Sequence, residues 1–264
     1  FILLHFFLSL AFVLAPWMTN RLFLSDSVLY ANAHKISLVV LLLGSYLNMN
    51  FLAAAWPLFC AFGFSIYLKN ESKTLFSAVG LASCIPFVFS LISSVWFVAG
   101  VNDLHLLGYD RAWSFYAAIH GSFLGWLFVG CLAHLSRRAS ASRVYLWSCF
   151  LSLVFFLFIA FGINGVPFIK PIGVVGFSVL VPFAIGHYAF EKTQKPRASR
   201  VLALVSLAAI ASSMTLAVLN EFWPGVPRVV LGFPMMVLVH GSLNAIIAVP
   251  CFFFAIWFER DATN

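Results

Sequence analysis

The chain has 264 residues, 63% of them hydrophobic and 9% charged, with a formal net charge of +7 and a mean hydropathy of +1.03. Soluble domains carry about a quarter charged residues, so water is excluded as the solvent for most of this surface. The Lys and Arg residues fall singly or in small clusters between apolar blocks, which excludes a basic face for nucleic acid and makes the lipid bilayer the implied partner.

Apolar blocks of about twenty residues match helices crossing about 30 Å of hydrocarbon. In chain order the hydropathy predicts spans at Phe1–Met18, Val28–Leu47, Phe51–Leu68, Thr74–Ala99, Ala112–Leu135, Val144–Ile163, Pro171–Phe190, Val201–Leu219 and Met235–Phe258. The run from Leu151 to Phe161 is apolar without alternation, unlike a barrel strand, whose side chains face lipid and lumen in turn. The expected fold is therefore all-α, a polytopic integral membrane helix bundle forming a single transmembrane domain over residues 1–264. Nine spans require Asn48, Met49 and Asn50 to form a tight turn and Lys35 to reach an interface; eight spans are the alternative, with one crossing between Ile36 and Leu68. The first block lacks the basic leader and small-residue cleavage site of a signal peptide and is read as a retained span.

Cytoplasmic loops are enriched in Lys and Arg. Lys69/Lys73, Arg137/Arg138/Arg143, Lys192/Lys195/Arg197/Arg200 and Arg260 fall on alternate joints, which predicts a multi-pass protein of the inner membrane with these joints inside. Nine spans add Arg21 and Lys35 to that side and leave Arg111, Lys170 and Arg228 opposite. Cys60, Cys84, Cys131, Cys149 and Cys251 lie inside apolar blocks without metal-ligand spacing and are read as packing residues, with no metal site expected.

The opposite joints are chemically richer. They run from Asn102 to Arg111, from Asn164 to Pro167 and from Asn220 to Gly225, and they gather Asp103, His105, Asp110, Glu221 and Trp223. Two adjoining spans carry the same tripeptide in their outer third, His120-Gly-Ser and His240-Gly-Ser. A glycine after each histidine permits close approach of another helix or a ligand. Asn244 follows His240 by one turn, and Tyr116 precedes His120 by one turn, so each pair shares a helix face. Strongly polar residues within spans usually face a bundle interior, which predicts that His120 and His240 meet in a shared pocket with Asn244 and at least one of Asp103 and Glu221. The bland alternative is that these histidines bond to neighbouring backbone or sit at the headgroups. His134 and His187 sit beside basic joints as interfacial anchors, His105 is a solvated loop residue, Asp110 pairs or caps the following helix, and the sequence offers no partner for His5 or His34.

The segment from Ser114 through His120 to Gly125, and the later His240-Gly-Ser-Leu-Asn-Ala245, resemble the YndJ-like bacterial transmembrane family, which has a comparable histidine-bearing helix and a later His-Gly-x-x-Asn-Ala segment. The resemblance covers two helices. Ile119 stands where the family has a His-Phe-His run, so no role needing two histidines on that helix carries over. The resemblance implies functional weight at His120, His240 and Asn244 and supplies no reaction.

The residues themselves suggest a membrane-embedded enzyme performing acid/base chemistry, a cyclisation or isomerisation, on a lipophilic isoprenoid- or polyketide-like substrate. His120, His240, Asn244, Asp103 and Glu221 are the catalytic candidates; Tyr116, Trp113, Trp223 and Asn164 are the substrate-binding candidates. That chemistry needs no cofactor. The 31 Phe, eight Trp and seven Tyr residues could stabilise developing positive charge, although Phe is also an ordinary lipid-facing residue. The alternatives are a haem protein with His120 and His240 as axial ligands, and a transporter or binding subunit, which would instead place polar, broken helices at mid-membrane.

Overall fold

The computed structural model describes residues 2–138, 143–191 and 195–263, so Phe1 of the first expected span and Lys192 of the third basic joint lie outside the described residues. Among the described residues nine helices are long and apolar enough to cross a membrane. They are α1 (Ile2–Phe23), α2 (Val28–Tyr46), α3 (Asn50–Asn70), α4 (Ala78–Asn102), α5 (Arg111–Ser136), α6 (Arg143–Ile163), α7 (Ile169–Phe190), α8 (Arg197–Phe222) and α9 (Met236–Asp261). The chain is a multi-pass, all-α membrane protein.

The joint that distinguishes nine spans from eight is a real turn. The helix α2 ends at Tyr46, Asn48 takes a left-handed conformation at φ 54°, and Asn50–Ala54 winds as a tight 3-10 segment into α3. Asparagine tolerates that backbone region better than a branched or bulky residue. The first helix runs past the expected Met18 to Phe23, and two polar residues of the extension, Thr19 and Arg21, find partners. Thr19 Oγ1 accepts from Trp126 Nε1 at 2.7 Å, and Arg21 pairs with Asp26 at 3.1 Å.

The chain divides into two compact units, residues 1–138 and 139–264. The first holds α1–α5. Its centre is α5, most of whose residues are buried, whereas α2 buries only Tyr30, Ser37 and Gly44 and leaves residues such as Leu42 and Leu43 exposed, as lipid-facing residues are. Asp110 starts α5 by accepting from the Trp113 N–H at 2.8 Å, one of the roles expected for it. Gly125 brings α5 against α4: a Cβ there would lie 2.2 Å from the ring of Phe89.

The second unit holds α6–α9, each packed on the next in chain order. Ser206 Oγ of α8 donates to the Ala248 carbonyl of α9 at 2.6 Å. The joint before α9 contains a short antiparallel hairpin, β1 (Val229–Val230) with β2 (Phe233–Pro234), closed by Leu231 at φ 52° and Gly232 at φ 78°. Two successive positive φ values match the twist of a two-residue hairpin.

Candidate functional site

The helix α9 does not begin as an ordinary α-helix. Met236–Gly241 and Leu243–Ala248 are π-helical, with backbone bonds reaching one residue further than in an α-turn. Such widened turns occur mostly as short insertions and often at functional positions. Here they carry His240 and Asn244, which are 8% and 7% exposed.

The imidazole of His240 is held from both sides. Nδ1 lies 3.0 Å from the Ser213 carbonyl and 2.9 Å from Ser213 Oγ, while Nε2 lies 3.0 Å from Asn244 Nδ2. A carbonyl oxygen only accepts, so Nδ1 carries the proton; the lone pair of the neutral ring is then on Nε2 and receives an N–H of Asn244. Ser213 Oγ in turn donates to the His240 carbonyl at 3.4 Å, making a reciprocal clamp between α8 and α9. The remaining amide atom, Asn244 Oδ1, is buried and has no hydrogen-bond partner among the described residues.

The first unit repeats part of this plan. His120 stands at the junction where α5 turns π-helical over Gly121–Phe128. Again a serine of the preceding helix faces the widened turns: Ser93 Oγ of α4 donates to the Ala118 carbonyl at 2.9 Å and lies 2.5 Å from Ser122 Oγ. A Cβ at Gly121 would stand 3.0 Å from Ser93 Cβ, so the glycine after the histidine does permit a close helix approach. His120 Nδ1 donates to the Tyr116 carbonyl at 2.8 Å, which places the lone pair on Nε2, and the side chain is exposed. Trp113, Tyr116 and His120 follow one another along one stripe of α5. Their aromatic members continue a ladder, with Trp96 stacked on Tyr109 at 5.0 Å, Tyr109 beside Trp113 at 6.1 Å and Trp113 edge-on to Tyr116 at 5.6 Å.

The other candidates have local partners. Asp103 caps the end of α4 in the left-handed region at φ 54°, its carboxylate 3.9 Å from the ring of His105, and both side chains are 65% exposed. Glu221, on the last turn of α8, pairs with Lys170 at 2.7 Å. Asn164 Nδ2 donates to the Ala160 carbonyl at 3.1 Å, and Trp223 is exposed just after α8. Within the second unit, then, His240 and Asn244 come together as the shared helix face predicts, while Glu221 is engaged elsewhere.

Sequence reasoning missed Ser213 and Ser93, since a serine among apolar residues carries no mark of its long-range partner. It also missed the partner of His34, whose Nε2 lies 2.7 Å from the Phe12 carbonyl with the ring stacked on Phe59. His134 and His187 are half-buried against aromatic rings, His134 near Phe23 and His187 between Tyr145 and Phe183. A further unforeseen cluster surrounds Tyr188, whose hydroxyl donates to Glu259 Oε2 at 2.7 Å and lies 3.0 Å from Ser199 Oγ. Beside it the fully enclosed Lys195 donates to the Tyr188 carbonyl at 2.9 Å and to Glu191 at 3.1 Å.

No curated protein and no solved structure matches this chain. The sequence matches the YndJ-like protein family over residues 5–248, a stretch that includes both His-Gly-Ser segments and Asn244. The chain belongs to the YndJ-like protein family.

Proposed function

We propose that this protein is a membrane-embedded enzyme of a bacterial inner membrane that moves a proton on a lipophilic, isoprenoid- or polyketide-like substrate, with isomerisation or cyclisation as the outcome. The observation that carries the reading is the His240 clamp: a buried imidazole on a π-helical segment whose two nitrogens both have partners able to follow a change of protonation. If Nε2 gains a proton, a half-turn of the Asn244 amide brings Oδ1 to accept it, while Nδ1 keeps its bond to Ser213. A buried ring that can be neutral or charged without losing a hydrogen bond suits general acid/base work.

In an isomerisation, the protonated ring gives its Nε2 proton to one carbon of a double bond, and the resulting carbocation returns a proton from the carbon on its other side to Nε2, so that the double bond shifts. Substrate and product then have equal mass, and no redox partner is needed. His120, with its Nε2 lone pair beside the aromatic ladder of α5, is a second proton-transfer candidate in its own unit. Asp103 and Glu221 are ranked below the histidines because their carboxylates already have cationic or imidazole partners.

The test is incubation of the purified protein in lipid nanodiscs with a bacterial isoprenoid lipid extract in D2O. An isomer of altered retention time, carrying solvent deuterium on carbon, is expected. His240→Ala should lower its rate of formation by about 100-fold or more, the usual range for a general acid/base. Wild-type protein that produces no isomer and exchanges no deuterium would sink the reading, as would full activity in His240→Ala.

A further inference from the structure

The unpartnered oxygen of Asn244 says what kind of group this site lacks. The orientation of the amide is fixed by a chain of exclusions: the Ser213 carbonyl takes the Nδ1 proton, so Nε2 must accept, so Asn244 must present Nδ2 to it. Oδ1 therefore points away from the ring as a buried acceptor without a donor. Leaving such an acceptor unsatisfied destabilises a folded protein by more than a typical hydrogen bond returns, and native buried polar groups are mostly paired. The serine hydroxyls that α8 gives to α9 already have acceptors. Ser213 Oγ is committed to the His240 carbonyl, and Ser206 Oγ, on the same helix, is committed to the Ala248 carbonyl.

A water molecule is the bland occupant. Buried waters usually need two to four polar partners, and Asn244 Oδ1 offers one. Asn244 itself lies in an apolar stretch of a membrane-crossing helix, with Leu243, Ala245, Ile246 and Ile247 beside it in the sequence. The fitting partner is thus a single donor on an otherwise apolar body.

We infer that the His240 site binds lipophilic alcohols, the ligand hydroxyl donating to Asn244 Oδ1 beside the imidazole, which makes Asn244 the residue that selects hydroxylated substrates. This inference deepens the acid/base reading by naming the substrate class, and it rests on the same site. It also gives the amide two mutually exclusive tasks. With the ring neutral, Oδ1 is free for the hydroxyl; when Nε2 gains a proton, Oδ1 turns to it and the hydroxyl is released.

The experiment uses the full chain in nanodiscs and two photoreactive probes: a dodecanol with a mid-chain diazirine and an alkyne tag, and its methyl ether, equal in body but without the donor. Capture on the α9 peptide is read by mass spectrometry. Wild-type protein should capture the alcohol about tenfold more than the ether, equivalent to about 1.4 kcal/mol. Asn244→Leu should bring the ratio to about one, and Asn244→Asp, which keeps an acceptor, should retain the preference. Should Asn244→Leu fail to fold, the side-chain carbonyl carbon of Asn244 in wild-type protein, followed by solid-state NMR, should shift with the alcohol and stay unmoved with the ether. Equal capture of the two probes by wild-type protein, as a bound water would give, overturns the inference; so does an alcohol preference that survives in folded Asn244→Leu. Alcohol preference without deuterium uptake would remove the enzyme reading and leave this one standing, whereas deuterium uptake without alcohol preference would do the reverse.

Discussion

At the residue scale the chemistry of His240 is decided by a backbone atom. Because the Ser213 carbonyl rather than its hydroxyl fixes the Nδ1 proton, Ser213→Ala should keep the tautomer and lose only the Oγ half of the clamp. In protein labelled with 15N-histidine, the expected signal for His240 is the Nδ1-protonated neutral form in both wild type and Ser213→Ala; an Nε2-protonated ring in wild type would refute the assignment. The pairing of His240 with Asn244 was legible in the sequence, because a separation of four residues places two side chains on one helix face. Ser213 was not, because it arrives from another helix and a Ser-Ser step among apolar residues is compatible with any packing face. The partners of Asp103 and Glu221 were equally hidden: a loop carboxylate shows its charge in the sequence and conceals whether a lysine such as Lys170 has already claimed it.

Helices form the next scale, and here the sequence spoke clearly about crossings and poorly about their internal geometry. Nine apolar blocks became nine helices among the described residues, and the tight turn demanded at Asn48 exists. The hairpin at Val229–Pro234 was invisible because Leu231, a residue that rarely adopts positive φ, closes it. The π-helical turns were invisible too, since a wider turn changes backbone bonding without a distinctive composition. In both units they coincide with a histidine, a following glycine and a serine from the preceding helix. Close packing makes α5 intolerant of added volume. Gly125→Ala would drive a methyl group into the Phe89 ring, and overpacking of this kind costs about 1–3 kcal/mol. The purified variant should unfold at a lower temperature than wild type in a thermal melt; an unchanged midpoint would show that α4 and α5 are not in firm contact there.

For the whole molecule the governing question is which way the helices run. If the basic joints face the cytoplasm, a cysteine replacing Leu231 in a background free of native cysteines should react with an impermeant maleimide added outside intact cells. A cysteine replacing Lys73 should react only after the membrane is opened. Labelling of both from outside, or the reverse pattern, would contradict the orientation read from charge. One basic residue complicates any such reading. Lys195 counts toward the positive side in the orientation read from charge, yet in the finished fold its ammonium is wholly enclosed, bonded to Glu191 and the Tyr188 carbonyl. On that orientation, a charge that steers a nascent segment becomes an internal rivet of the finished fold. Neutralising it should therefore register twice, once as a weaker sorting cue during biogenesis and again as a looser joint in the mature protein.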